Sequence, residues 1–94
     1  MSKRKRGELA KEVRKLCLGL CNGKSTDNQF REGIEYLLLK HGRTGYVLQG
    51  IGLAVHRNSS TQGSDFENRV WTLASQVDSR IRELYDNWCM QMQK

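Results

Sequence analysis

The chain of 94 residues contains no proline, and its aromatic residues are two tryptophans, three tyrosines and two phenylalanines. Without proline no helix interior is interrupted by a missing N–H and a ring clash. The nine glycines cluster at segment ends or in the middle of the chain, which favours helices over a loop-rich fold. Long apolar runs are also missing. The longest, Tyr36-Leu37-Leu38-Leu39, is far short of the roughly 20 residues that span a bilayer, so no membrane association is expected. Cysteine occurs three times, at Cys17, Cys21 and Cys89. An odd number with no apolar leader excludes a disulfide framework and predicts a reducing, intracellular setting, cytoplasmic or nuclear. Asn58-Ser59-Ser60 spells a glycosylation acceptor, a match without consequence in a protein that is not secreted.

Catalytic signatures are absent as well. Two histidines and scattered carboxylates stand in no activating context, so the chain is read as a non-enzyme without a cofactor. Gly19 to Thr26, "GLCNGKST", resembles a phosphate loop but is one residue short, because only three residues separate Gly19 from Gly23. Such a loop needs four to wrap its N–H groups around the phosphates. Cys17 and Cys21 are one helical turn apart, yet structural zinc sites use paired short spacings. No metal site is expected, and Cys17 is read as core.

What the chain does have is a lopsided distribution of charge. The net charge is +6, and residues 1–24 carry eight basic side chains against Glu8 and Glu12. The remaining residues hold eight of each sign, so the whole excess lies in the first quarter. A weaker basic region follows: residues 36–64 contain Lys40, Arg43, Arg57, His41 and His56, and no acid.

Apolar periodicity predicts four helices in one domain over residues 1–94, with residues 1–6 as a basic lead-in. Leu9, Val13, Leu16, Cys17 and Leu20 line one face of a first helix from about Arg4 to Cys21. Asn22-Gly23 stops it. Thr26-Asp27-Asn28-Gln29 is a capping box that starts a second helix, which carries Phe30, Ile34, Leu37 and Leu38 and ends at Lys40-His41-Gly42. Residues 46–55 fit a helical stripe despite Gly50 and Gly52, each costing about 1 kcal/mol relative to alanine. These glycines are expected to let another helix approach closely. Residues 57–63 read as a polar loop, and Ser64-Asp65-Phe66-Glu67 as a second capping box. From there the stripe Phe66, Val70, Leu73, Ala74, Val77, Ile81, Leu84 and Trp88 predicts one helix of about 28 residues, roughly 42 Å long, supported by Asp78–Arg82 and Arg82–Asp86 pairs. That exceeds the roughly 32 Å diameter of a 94-residue globule. The overhanging end, with Tyr85, Trp88, Met90 and Met92, is therefore expected to be covered by a second copy of the chain. A 37% apolar content agrees with burial shared across an interface.

On the first helix Lys3, Arg4, Lys11, Arg14 and Lys15 fall opposite the apolar stripe, and Lys5 and Arg6 extend the cluster. A basic ridge of this kind tracks phosphates. Residues 1–24 contain no aromatic ring on which exposed bases could stack, so a duplex is favoured over single strands, double-stranded RNA among the candidates. The expectation is thus a small all-α, dimeric protein that binds the backbone of a nucleic-acid duplex with little sequence specificity. Lys3, Arg4, Lys5, Arg6, Lys11, Arg14 and Lys15 would touch phosphates, with Lys40, Arg43 and Arg57 enlarging the surface. Two alternatives stand beside it: a protein-protein adaptor or inhibitor that docks through the C-terminal helix, and a helix-turn-helix DNA regulator over Phe30 to Arg57.

Overall fold

A computed structural model describes residues 3–92, with side chains described from Gly7 to Met92. All regular elements among them are helical: α1 Lys3–Cys21, α2 Asp27–His41, α3 Gly45–Ser59, a 3-10 turn at Ser60–Gln62, α4 Ser64–Val77 and α5 Arg80–Met92. None of these helices is long and apolar enough to cross a membrane.

The first two boundaries follow the local chemistry. Gly23, at φ 75°, takes the left-handed conformation that L side chains resist, and the N–H groups of Lys24 and Ser25 close back on the Gly19 carbonyl at 2.9 and 3.0 Å. The Thr26 capping box then forms in full: the Gln29 N–H donates to Thr26 Oγ1 at 3.1 Å and the Thr26 N–H to Gln29 Oε1 at 2.8 Å. The resemblance to a phosphate loop is helix punctuation. Thr44 opens α3 in a similar way, accepting the Val47 N–H at 3.2 Å.

Three expectations are corrected. The second capping box does not form, because α4 begins at Ser64 itself and its N-cap is Gly63, which has no side chain to offer. Residues 57–59 are not loop; α3 runs through Arg57 to Ser59 before tightening into the 3-10 turn. The third correction is the largest: the single long C-terminal helix is two helices. Asp78 has extended dihedrals, φ −157° and ψ 113°, and its N–H ends α4 on the Ala74 carbonyl at 3.1 Å. Its Oδ1 accepts the Arg80 N–H at 3.0 Å, a local side-chain bond that competes with helix continuation and starts α5. The apolar stripe continues across the break, but the axis turns. Arg82 pairs with Asp86 at 3.2 Å, as expected, while Asp78 pairs with Arg80 at 2.8 Å rather than with Arg82.

With the helix broken at Asp78 and α5 packed on α3, the 42 Å rod does not form, and the extents are 36 × 29 × 22 Å with a radius of gyration of 12.4 Å. α3 is the centre. It packs most extensively against α1 on one side and α5 on the other, while α2 and α4 pack on each other and close the remaining sides. Two glycines inside α3 allow this. A Cβ added at Gly50 would lie 3.1 Å from Leu9 Cδ2 of α1, and one added at Gly52 would lie 2.9 Å from the Ile81 carbonyl of α5. α1 and α3 run parallel, since Leu9 meets Gly50 and Cys21 Sγ meets Gln62 at 3.5 Å. The core joins Leu9, Val13, Cys17 and Leu20 of α1 to Phe30 and Ile34 of α2, Leu48, Ile51 and Val55 of α3, Val70 and Ala74 of α4, and Ile81 of α5.

Candidate nucleic-acid interface

Burying Leu9, Val13, Cys17 and Leu20 fixes the rotation of α1, and with it the opposite face. Lys11, Arg14 and Lys15 are exposed there. Lys11 and Arg14 form one wall of a groove of about 900 Å³ between α1 and α3, and Arg57, in the last turn of α3, stands on the other. The floor is apolar, with Leu9, Ala10, Leu53 and Ala54, and Gln49, Asn58 and Gln62 supply amide groups. Among the described residues no carboxylate and no aromatic ring lines it.

Lys11, Arg14, Lys15 and Arg57 make no ion pair with any carboxylate among the described residues. Glu8 and Glu12 share α1 with three of them and still leave them unpaired. Elsewhere Arg31 donates to the amide oxygens of Gln76 and Asn28, and four other arginines are taken up by carboxylates. Arg43 binds Glu35 and, at 3.4 Å, Asp78; Arg69 binds Asp27 at 2.5 Å, Arg80 binds Asp78 at 2.8 Å and Arg82 binds Asp86 at 3.2 Å. Hydrogen bonds from Arg80 hold the Asp78 carboxyl below its ordinary range, and the Arg80 guanidinium is correspondingly raised.

The ten cations picked out from the sequence therefore separate. Lys11, Arg14 and Arg57 come together at the groove, with Lys15 on the adjoining exposed face of α1. Lys40 is exposed in the last turn of α2 and Arg43 is engaged by two carboxylates, both away from the groove. The side chains of Lys3, Arg4, Lys5 and Arg6 lie outside the described residues. Sequence reasoning named Arg57 but missed Leu18, 43% exposed one turn beyond Arg14, and Gln49 and Leu53, which stand with Arg57 on the α3 wall.

The C-terminal quartet is placed differently from the reading above. Tyr85 is buried, its ring 5.1 Å from that of Trp71, 5.2 Å from His56 and 6.4 Å from Trp88. It belongs to the core, where burial above all, and then its hydrogen bond with Cys89, push its phenol up to about 12. Trp88 is half-buried, and only Met90 and Met92 are exposed. Burial also pushes the Cys17 thiol up to about 12, which keeps it protonated and unreactive. Among the described residues no group of three or more His, Cys, Asp or Glu side chains could hold a metal ion. Comparison with protein-family models, with curated proteins and with solved structures finds no match to this chain.

Proposed function

We propose that this protein binds the sugar-phosphate backbone of a nucleic-acid duplex through the exposed face of α1 and the adjoining end of α3, reading little sequence. One observation carries the reading: among the described residues Lys11, Arg14, Lys15 and Arg57 make no ion pair and gather on one side of the molecule, while Arg43, Arg69, Arg80 and Arg82 are each matched to a carboxylate. Cations without internal partners release counterions when they meet phosphates. The 19 residues of α1 make a rod of about 28 Å at 1.5 Å per residue, long enough to lie beside about eight phosphates of one strand at 3.4 Å each. The lack of an aromatic ring in the groove argues against stacked single-stranded bases.

The helix-turn-helix alternative loses its footing, because α3 would have to enter a major groove and is instead the central helix, packed on α1, α2, α4 and α5. An adaptor docking through one long C-terminal helix has no basis either in a chain whose α5 folds back onto α3.

Titration of the full chain with duplex RNA, duplex DNA and single strands at about 50 and 200 mM salt tests the proposal. Four phosphate contacts give a slope of log K against log salt near −3.6, or about a 100-fold loss of affinity over that range. Duplex binding that ignores salt, or single strands bound as tightly as duplexes, would overturn it.

A further inference from the structure

Among the described residues, the outward face of α2 holds the most exposed apolar pair apart from Met90 and Met92. Tyr36 is 59% exposed and Leu39, one turn along the same face, is 73% exposed. The opposite face buries Phe30, Ile34, Leu37 and Leu38, so the rotation of α2 is fixed and these two side chains point to solvent. α4 meets α2 along a different flank, through Arg31 to Gln76 at 2.6 Å and Arg69 to Asp27 at 2.5 Å. α1 meets it at Gly33, beside Leu16. Among the described residues nothing covers the Tyr36–Leu39 face.

Its flanks say what fits. Glu32, one turn before Tyr36, and Lys40, one residue after Leu39, are both exposed and neither makes an ion pair among the described residues. Acid, apolar pair, base is a self-complementary order. When the same face is rotated about a two-fold axis beside Tyr36 and laid antiparallel on itself, the Tyr36 rings of the two copies meet and Leu39 of each copy flanks them. Glu32 of each copy then comes beside Lys40 of the other, once at each end. Isologous contacts require this reciprocity, whereas a foreign partner would have no reason to match both ends. The antiparallel arrangement also opposes the two helix dipoles favourably.

We infer that α2 is a homodimer contact: two copies pair antiparallel through Tyr36 and Leu39, held in register by two Glu32–Lys40 bridges. This makes Lys40 an interface residue, not a phosphate ligand, and leaves the basic face of α1 open on both protomers. A single helix face lies at the small end of specific interfaces, below about 1,200 Å² in total, so the dimer forms and dissociates with concentration.

Sedimentation equilibrium without nucleic acid, from about 1 µM to 1 mM chain, reads the proposal directly. The expected result is a reversible monomer–dimer equilibrium, abolished by Leu39→Asp with the helical circular dichroism unchanged. Glu32→Lys and Lys40→Glu each bring like charges together and weaken dimerisation about 10-fold or more, and the Glu32→Lys/Lys40→Glu double variant restores it to within about 3-fold. A chain that stays monomeric throughout, a Leu39→Asp variant that still dimerises, or a double variant no better than the singles would overturn it. Because the readout involves no duplex, it stands or falls apart from nucleic-acid binding.

Discussion

On one side of α3 an added Cβ at Gly50 would meet the tip of a leucine side chain at 3.1 Å, and on the other an added Cβ at Gly52 would meet backbone, the Ile81 carbonyl, at 2.9 Å. The two contacts are of similar extent but differ in what lies at their edges. Beside α5 the seam is sealed by the stacked rings of His56, Trp71, Tyr85 and Trp88, with Arg82 4.4 Å above the Trp71 ring and paired to Asp86. Beside α1 the seam opens into the groove, and its cations make no ion pair among the described residues. Charge is spent internally on the α5 side and held in reserve on the α1 side. Stability should therefore reside in the first seam and binding in the second, and each variant below moves one without the other.

The largest effect is expected on the open seam. A Lys11→Ala/Arg14→Ala/Lys15→Ala variant removes three exposed cations that no carboxylate depends on, so its unfolding midpoint should match that of the parent. Its affinity for duplex should fall about 100-fold at low salt, and the salt slope should shrink by about three. Fluorescence anisotropy at several salt concentrations measures both, and a folded variant that binds duplexes as before sinks the assignment of this face.

The two glycines give the sharpest test of the closed seam. Gly52→Ala forces a methyl against the Ile81 carbonyl and against Tyr85 Cβ, 3.0 Å away, and neither backbone nor a Cβ can swing aside. The expected cost is about 2 kcal/mol, the middle of the range for overpacking. Gly50→Ala meets only Leu9 Cδ2, which a rotamer change relieves, while alanine gains about 1 kcal/mol of helix propensity. Its net effect should be neutral or slightly stabilising. Urea unfolding of the pair measures the contrast, and equal losses at both positions would mean that the two seams are equally rigid.

Asp78 joins the seams to the break between α4 and α5, and it adds a pH dependence. Its side chain is only 9% exposed and accepts from Arg80 and Arg43, which lowers its folded pKa below the ordinary value, Arg80 contributing most. A depressed acid stabilises the fold at neutral pH, and that contribution is lost as pH falls through the ordinary carboxyl range near pH 4 and below. Asp78→Asn keeps a capping oxygen but no charge, so its stability should fall less steeply than the parent's below about pH 4. Asp78→Ala loses the cap as well and should cost about 1–2 kcal/mol at pH 7. Thermal unfolding from pH 2.5 to 7 separates them, and parallel curves for parent and Asn variant would show that the Arg80 and Arg43 contacts add nothing.

How much of this was legible beforehand depends on whether the cause was local. Thr26 and Gln29, or Gly23, carry their reasons within four residues, and those boundaries were readable. So was the rotation of α1, because Leu9, Val13, Cys17 and Leu20 repeat cleanly and the cations must then face outward. The break at Asp78 was hidden because the apolar stripe runs through it: Val77 and Ile81 are in helical spacing whether or not the helix is continuous. The signal present, two adjacent cap-forming residues in Asp78-Ser79, was outvoted by periodicity. That one misreading created the overhang, and the overhang assigned Tyr85 to an interface instead of the core. The α3 wall of the groove was unreadable for another reason: Arg57 joins Lys11 and Arg14 only because α3 lies parallel to α1, a fact of topology that no local pattern encodes.

The smallest expected effects make the most direct comparison, one arginine from each seam. Arg57 lines the groove and has no carboxylate partner among the described residues, whereas Arg82 lies over the Trp71 ring and pairs with Asp86. Arg57→Ala should leave unfolding within about 0.5 kcal/mol of the parent, as surface substitutions do, and lower duplex affinity a few-fold with a salt slope about one unit shallower. Arg82→Ala should do the reverse. It removes a cation–π contact and an i,i+4 ion pair, together about 1 kcal/mol at such an exposed site, and leaves duplex affinity unchanged. Measuring both variants by both assays gives four numbers, and only a crossed pattern is compatible with a division of labour across α3. If Arg82→Ala weakened duplex binding as much as Arg57→Ala, the phosphate surface would have to extend to α5, and the pairing of a cation inside the fold would no longer identify it as structural.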